Sequence, residues 1–214
     1  MIISRKRRYI FVHIPKTGGT SLATALEERA ARDDILIGDT PKAKRRKRRL
    51  EGVKTSGRLW KHAGLSDIDG LVSADELASF FTFTLVRNPW DRMVSYYHWL
   101  RAQSFDHQAV RLANALSFVD FVQDEETRRS FAAAPANRYM TTAAGVEQCA
   151  AYIRLETFEA DAAPLFDHLG FSFNLPQINA SVRRPDYRTY YDALARAAVA
   201  DFCAVDIARF EYRF

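Results

Sequence analysis

The hydrophobic residues of this 214-residue chain fall into short runs that alternate with amphipathic segments. The run "YIFVHI" at 9–14 is apolar, β-rich and ended by Pro15, which is typical of a strand buried on both faces of a parallel sheet. By the same reasoning, "FTFTLV" at 81–86 predicts a second central strand and "AYIRLE" at 151–156 a weaker third one. Predicted helices alternate with these strands, and the order indicates an α/β fold with a mostly parallel sheet.

Helical spacing and capping signals place the helices. A helix over about 20–31 follows the first strand, and another begins near Pro89 after the second strand. Ser73 and Glu76 fit a capping box that starts a helix before the second strand. The last helix is predicted over about 188–207. Its core-facing stripe is expected to consist of Tyr191, Leu194, Ala198, Phe202 and Val205.

The net charge of +5 is unevenly distributed along the chain. Residues 5–8 and the run "KAKRRKRR" at 42–49 hold eleven of the 31 basic residues, which leaves 20 basic against 26 acidic residues elsewhere. The segment 32–58 is typical of a loop, apart from a possible short strand at "ILI", and is expected to be a basic, flexible insertion. Its basic run is either a solvated, mobile loop or a patch that gathers polysaccharide, nucleic acid or a membrane surface.

Composition bounds the class of protein. The length and the 48% hydrophobic content predict a single domain over 1–214. No apolar run approaches the length of a membrane span, and the basic residues 5–8 follow the first apolar residues, the reverse of a signal peptide. A soluble, cytoplasmic protein is therefore expected. Cys149 and Cys203 form no CxxC pair, which excludes a cysteine-based zinc site and makes a structural disulfide unexpected.

A glycine-rich turn joins the first strand to the first helix. In "HIPKTGGTS" at 13–21, Lys16 precedes Gly18 and Gly19, and hydroxyl residues open the helix. Backbone N–H groups at a helix start and the helix dipole favour an anion, so this turn is expected to bind a phosphate. The order differs from the nucleotide-triphosphate loop, in which the lysine follows the last glycine and a Ser or Thr reaches Mg²⁺.

A second polar turn follows the second strand and offers Arg87, Asp91, Arg92 and Ser95. Because parallel strands end at the same edge of a sheet, the two turns are expected to form adjacent sites for a ligand with two separated anionic groups. Arg87 can meet a phosphate through two N–H groups, and Ser95 can add a hydroxyl donor. The alternative for Arg87 is a structural ion pair with Asp91.

Both turns resemble motifs of the sulfotransferases that use 3′-phosphoadenosine-5′-phosphosulfate (PAPS), in particular Golgi-type carbohydrate sulfotransferases and their bacterial relatives. "HIPKTGGTS" resembles their 5′-phosphosulfate loop, and "LVRNPWDRMVSYY" at 85–97 resembles their 3′-phosphate motif. Weaker similarities are "KHAGLSDI" at 61–68, "IRLETF" at 153–158, "LPQINAS" at 175–181 and "DIARFEYRF" at 206–214. The resemblance implies a P-loop-like, three-layer fold with a central, mostly parallel sheet flanked by helices. The membrane anchor of the Golgi enzymes has no counterpart here, so a bacterial-type enzyme is expected.

The resemblance also implies the ligands and the roles of the motif residues. PAPS would be the donor and 3′-phosphoadenosine-5′-phosphate (PAP) the product, and the acceptor would be a hydroxyl compound, expected to be a neutral or anionic saccharide. Lys16 would stabilise charge on the leaving oxygen, so that no metal ion is needed. Arg87 and Ser95 would bind the 3′-phosphate. The 5′-phosphosulfate would be held by Lys16, Thr17, Gly18, Gly19, Thr20 and Ser21.

A general base is expected to activate the acceptor hydroxyl, and histidine suits that role. The pattern places His13 in a buried strand, His98 on a helix stripe, and His107 and His168 where no other polar residues converge. His62 remains, and it matches the position of a histidine in the family. The alternative is a surface histidine, with His107 or Glu156 as the next candidate. With His62 as the base, the rate should fall below a pKa of about 6.5 unless burial shifts it.

Two other functions compete with this hypothesis. A P-loop kinase or NTPase would have its lysine directly before Ser or Thr and an Asp at the end of its second strand, whereas Lys16 precedes the glycines and Arg87 follows the second strand. A non-catalytic module could bind nucleic acid or another anion through 42–49. That function leaves both strand-end motifs without a purpose, so nucleic acid is not the expected partner.

Overall fold

The structure is a computed structural model that describes residues 1–176, 178 and 183–214. Two compact units can be distinguished, and each is described by itself. Unit 1 comprises Met1–Val86 and Ala136–Ile178, and unit 2 comprises Arg87–Pro135 and Asn179–Phe214. Within the described ranges, every helix is too short or too polar to cross a membrane.

Unit 1 is built on a five-stranded sheet with the order β3-β1-β2-β4-β5. The strands are β1 (Ile2–Ser4), β2 (Tyr9–Val12), β3 (Ile35–Leu36), β4 (Phe81–Val86) and β5 (Ala151–Arg154). The three predicted strands, β2, β4 and β5, are parallel neighbours, while β1 runs antiparallel to β2 and β3. Val12 pairs with Thr84, so β2 and β4 end at the same edge of the sheet. The predicted α/β fold is confirmed.

The described part of the chain contains twelve α-helices. They are α1 (Gly19–Glu28), α2 (Pro41–Arg46), α3 (Ala74–Ser79), α4 (Pro89–Arg101), α5 (Gln108–Ala115), α6 (Phe118–Gln123), α7 (Glu125–Ala132), α8 (Ala136–Tyr139), α9 (Phe158–Asp161), α10 (Ala163–Leu169), α11 (Ala193–Phe202) and α12 (Ala204–Phe210). Short 3₁₀ helices occupy Lys47–Leu50, Ser66–Ile68, Leu155–Thr157 and Tyr187–Tyr190. The capping box of Ser73 and Glu76 is present at the start of α3, as predicted.

Both faces of the sheet are covered, because alternate residues of a strand face opposite sides. Phe11 of β2 belongs to a buried cluster that includes Leu22 of α1. Its neighbour Val12 belongs to a second buried cluster, which includes Leu77 of α3. Unit 1 therefore has the three layers that the resemblance implied.

The two basic runs have defined backbone structure. Residues 5–8 form the turn between β1 and β2, a hairpin that the pattern missed because three residues are too few to show strand alternation. The loop prediction is wrong for 41–50, which forms α2 and a 3₁₀ helix. The Thr40 side chain caps α2 by accepting from the Ala43 N–H, and Pro41 occupies the first turn, where proline is tolerated. The predicted short strand is confirmed as β3.

Unit 2 is helical, with a buried cluster that includes Trp90 and Val94 of α4. The prediction of one long last helix is wrong. Asp192 caps α11, and a break at Cys203 separates α11 from α12. The predicted stripe is also wrong, since Leu194 is 68% exposed and Val205 is 56% exposed. The buried positions of this region are Ala195, Val199, Cys203 and Asp206. Small side chains at these positions allow close packing, so the largest hydrophobic residues do not mark the buried face.

Candidate active site

The turn between β2 and α1 places a lysine in a conformation that favours glycine. Lys16 has a φ of 65°, in the left-handed region, and Gly18 follows with a φ of 87°. A non-glycine residue in that region costs about 1–2 kcal/mol relative to the right-handed conformation. The side chain of Lys16 is therefore kept at this position against a conformational cost, as is common for residues that act on a ligand.

The start of α1 is suited to an anion. Gly18 is the N-cap residue and supplies no side-chain cap, and the first turn contains no acidic residue. The first N–H groups of a helix have no acceptor within the helix, and the dipole places positive charge there. The Thr17 hydroxyl donates to the Ile14 carbonyl oxygen at 2.9 Å, so this side chain is held within the turn. The Ser21 hydroxyl accepts from the Ile178 N–H at 3.3 Å.

The imidazole of His13 closes the back of this turn. A Cβ atom built on Gly19 would lie 2.1 Å from Cδ2 of His13, far inside van der Waals contact. A Cβ atom on Gly18 would lie 2.8 Å from Cδ1 of Leu155, in the segment "IRLETF". The His13 ring therefore requires a glycine at position 19, and the positive φ of Gly18 favours a glycine at position 18, in addition to any approach of a ligand.

The same His13 also positions His62. Nδ1 of His62 lies 2.7 Å from the His13 carbonyl oxygen, and the two rings meet edge to face with centroids 4.7 Å apart. A carbonyl oxygen only accepts hydrogen bonds, so Nδ1 of His62 must carry the hydrogen. In the neutral ring, Nε2 is then the unprotonated nitrogen, the form that a general base needs.

Burial keeps His62 neutral over a wide pH range. The pKa of His62 is lowered from 6.5 to about 4, chiefly by burial; the hydrogen bond to the His13 carbonyl oxygen raises it and the charge of Lys61 lowers it. Burial also lowers the pKa of His13 well below 6.5, with added contributions from the charges of His62, Lys61 and Lys16. The expected value of about 6.5 for His62 is therefore replaced by one near 4.

The other three histidines have structural surroundings, as the sequence indicated. His98 lies on α4 between the rings of Tyr97 and Tyr190. His107 caps α5, since its Nδ1 accepts from the Ala109 N–H at 3.1 Å. His168 bonds to the Arg7 carbonyl oxygen at 2.8 Å. Among the histidines, His62 alone combines a fixed tautomer with contact to the residue behind the glycine-rich turn.

In unit 2, Arg87 forms the ion pair that was the alternative interpretation of this residue. Its Nε and Nη2 donate to Asp91 Oδ2 at 2.8 and 2.6 Å. The other carboxylate oxygen of Asp91 lies 2.6 Å from Nη1 of Arg183. Two guanidinium groups thus share one carboxylate, and the cluster keeps a net positive charge. Ser95 is buried on α4, one turn after Asp91 and on the same face of the helix.

Comparison with known proteins decides the family. The sequence model of a family described as "Sulfotransferase family" matches residues 1–212. The chain belongs to the sulfotransferase family. A solved structure, that of mouse sulfotransferase SULT7A1 complexed with PAP, matches this sulfotransferase with a TM-score of 0.52 at 14% identity, over 98% of this chain and 90% of that chain. At that identity, the match shows a shared fold. No curated protein sequence matches the chain.

The membership confirms the sequence prediction of a PAPS-dependent sulfotransferase. Of the weaker similarities, "KHAGLSDI" contributes His62 and "IRLETF" contributes the Leu155 that packs on the turn. "LPQINAS" lies largely outside the described residues, which include only 175, 176 and 178 of that segment. Sequence reasoning assigned His13 to the core and missed that its ring contacts both the turn and His62. The only feature of the sequence that could have indicated these contacts is the position of His13 next to the glycine-rich turn.

The contact between His13 and Gly19 predicts a specific loss of stability. We expect Gly19→Ala to lower the free energy of unfolding of this sulfotransferase by about 1–3 kcal/mol, because the new methyl group overlaps the His13 ring. Gly38→Ala is the matched control, since a Cβ atom there meets nothing within 4 Å. Chemical denaturation measures both. The cost of Gly19→Ala should shrink in a His13→Ala background, and equal costs in the two backgrounds would contradict the contact.

The lowered pKa of His62 predicts its titration. We expect the ring nitrogens of His62 to titrate near pH 4 in the unliganded protein, and Nδ1 to carry the hydrogen at neutral pH, both measured by NMR of the ring nitrogens. The unfolded chain binds a proton at His62 near pH 6.5, whereas the folded chain binds it only near pH 4. Stability from His62 is therefore present above pH 6.5 and declines as the pH falls toward 4. A His62 resonance that titrates near 6.5 would refute the burial argument.

Proposed function

We propose that this sulfotransferase transfers the sulfuryl group of PAPS to a saccharide hydroxyl, with His62 as general base and Lys16 acting on the leaving oxygen. The observation that supports the proposal best is the position of His13. Its ring packs against Gly19 of the glycine-rich turn, and its carbonyl oxygen holds the tautomer of His62. One buried residue therefore fixes both the proposed donor loop and the proposed base.

The glycine-rich turn has the chemistry that a 5′-phosphosulfate requires. The uncapped start of α1 supplies backbone N–H groups, and no acidic side chain in the first turn opposes an anion. In this proposal, Lys16 and Thr17 through Ser21 bind the 5′-phosphosulfate, with Thr17 and the glycines acting through their backbone. The left-handed backbone at Lys16 sets the direction in which its side chain leaves the turn.

Arg87 and Ser95 are proposed to bind the 3′-phosphate. The ion pair with Asp91 does not compete with this role, because Asp91 is shared with Arg183 and two cations face one anion. Asp91 instead holds the planar guanidinium of Arg87 in one orientation, which lowers the entropy lost when an anion binds. Side chains of Arg87 and Asp91 that are only 13% and 18% exposed make this pairing stronger than a surface ion pair.

In the proposed reaction, the protein accepts one proton and stabilises the charge on the leaving oxygen. Nε2 of His62 accepts the proton of the acceptor hydroxyl while that oxygen forms its bond to sulfur. The bond between sulfur and the bridging oxygen of the 5′-phosphate breaks in the same in-line step. Lys16 stabilises the negative charge that develops on the bridging oxygen, the function that a metal ion serves in phosphoryl transfer.

Selectivity for the 3′-phosphate tests the role of Arg87. We expect the protein to bind PAP tighter than adenosine 5′-phosphate by a factor on the order of 10² or more, because only PAP carries the 3′-phosphate to which Arg87 and Ser95 are proposed to donate. Titration calorimetry measures both affinities. Arg87→Gln should remove most of the difference, while Arg101→Gln, an exposed position on α4, should leave it intact. Equal affinities on the parent protein would refute the assignment.

Two substitutions distinguish an effect on donor binding from an effect on the rate of sulfuryl transfer. Lys16→Gly suits the positive φ and removes the whole lysine side chain with its amine, so we expect weaker PAP binding and slower transfer together. His62→Asn keeps a donor for the His13 carbonyl oxygen and removes Nε2. It should leave PAP affinity unchanged and lower the single-turnover rate by about 10²–10⁴.

Both rates are measured with labelled PAPS and a saccharide acceptor found by screening, with and without EDTA, which should have no effect. If the His62→Asn variant sulfates the acceptor at nearly the parent rate, His62 is not the base, and Glu156 or His107 becomes the next candidate. Loss of activity with EDTA that Mg²⁺ restores would contradict the role of Lys16.

A further inference from the structure

The imidazole of His62 contacts two other rings. The first is the ring of His13, which meets it edge to face with centroids 4.7 Å apart and also packs against Gly19 of the glycine-rich turn. The second is the indole of Trp60, which also meets it edge to face, at 5.0 Å between centroids. The guanidinium of Arg58 lies over that indole, 5.8 Å from the ring centre. A continuous set of contacts therefore joins Trp60, His62 and the proposed donor loop.

Trp60 lies at the surface but in a fixed segment. Its carbonyl oxygen accepts from the Ala63 N–H at 3.0 Å, so residues 60–63 form a turn. Within this turn, the Lys61 side chain forms an ion pair with Asp39 at 2.6 Å. Trp60 is 43% exposed, whereas His13 is 7% exposed. Of the two rings that contact His62, one thus belongs to the core and the other separates His62 from solvent.

The hydrogen bond to His13 does not fix the orientation of the His62 ring by itself. It holds one atom, Nδ1, at 2.7 Å from the His13 carbonyl oxygen, and a ring held at one corner can still tilt about that atom. Ring contacts remove this freedom, because edge-to-face packing restricts the angle between two rings. The position of Nε2 matters for the rate, since a misplacement of about 1 Å at a reacting centre can cost about 10²-fold.

We propose that Trp60 is a positioning residue for the base: its indole holds the His62 ring in one orientation and covers it from water, and it takes no part in the proton transfer itself. The inference rests on the proposed function, because it concerns His62 as the base. The alternative for an exposed indole at this place is direct contact with the acceptor. That contact would change the KM of the acceptor and leave the state of His62 as it is.

The charged groups around His62 act in addition to the indole. The positive charges of Lys61 and of the Met1 amino group lower the pKa of His62, whereas Asp39 raises it, and burial has the largest effect. Without the indole, water reaches the ring and solvates the imidazolium form, so the pKa rises from about 4 toward 6.5. A neutral residue at position 61 also raises this pKa, but it leaves both ring contacts in place.

NMR of the ring nitrogens tests the cover without any measurement of activity. We expect Trp60→Ala to raise the pKa of His62 by about one pH unit or more, because the ring becomes hydrated. Trp60→Phe keeps an aromatic ring and should stay close to the parent value. Phe105→Ala removes an aromatic side chain of similar exposure from unit 2 and should not change the pKa of His62. The signals of the other histidines report whether each variant is folded.

Transfer kinetics test the orientation of the base. With labelled PAPS and an acceptor found by screening, we expect Trp60→Ala to lower kcat at neutral pH by about tenfold or more, with unchanged PAP affinity and acceptor KM. The acid limb of its pH profile should move up together with the pKa of His62. Lys61→Gln is the matched control. It should raise the same pKa but keep kcat at neutral pH near the parent value, because both rings still contact His62.

Three outcomes would overturn the inference. They are a parent-like pKa of His62 in Trp60→Ala, a parent-like kcat in that variant, and a loss that appears in the acceptor KM alone, which would make Trp60 a contact of the acceptor. The failure of the proposed function looks different. In that case the parent protein would not transfer sulfate, or His62→Asn would keep the parent rate, while the NMR titration would still decide whether the indole covers His62.

Discussion

The contact between the His13 ring and Gly19 is the constraint on which the rest of the candidate site depends. Since no side chain fits at position 19, α1 starts close against the end of β2, with its first N–H groups in the turn that follows the strand. The same ring touches His62, and the backbone carbonyl oxygen of His13 determines which nitrogen of His62 is free to accept a proton. The position of the turn and the orientation of the base are therefore not independent properties of this fold.

Helix α1 has a different task at each of its ends. Its start forms the glycine-rich turn, and the carbonyl oxygens at and beyond its end receive donors from Lys42, Arg46 and Arg49. Cations at a helix C-terminus are favoured by the dipole, so these contacts stabilise α1 and hold the basic segment against it at once. A run that looks uniform in sequence therefore contains residues that hold the segment against α1 and residues, such as Lys44 and Arg45, that are exposed.

The parts predicted correctly from the sequence are those governed by local patterns. β2 and β4 are continuous apolar runs, and Asn88 and Pro89 fix the start of α4. The errors arise where tertiary contacts determine the secondary structure of a segment. Thr40 and the end of α1 turn a basic loop into a helix. In the candidate site, residue types and order pointed to Lys16 and His62, but the role of His13 depends on its contact with His62, 49 positions away, which no local pattern contains.

Burial and neighbouring charge explain how a histidine with a pKa near 4 can still serve as the proposed base. In the unliganded protein, desolvation and the positive charge of Lys61 disfavour the imidazolium form, so His62 is held ready to accept a proton at neutral pH. An anionic donor bound at the glycine-rich turn would oppose this effect, because negative charge nearby favours the protonated ring. The base would then become stronger only when the donor is in place, which links proton transfer from the acceptor to occupation of the donor loop.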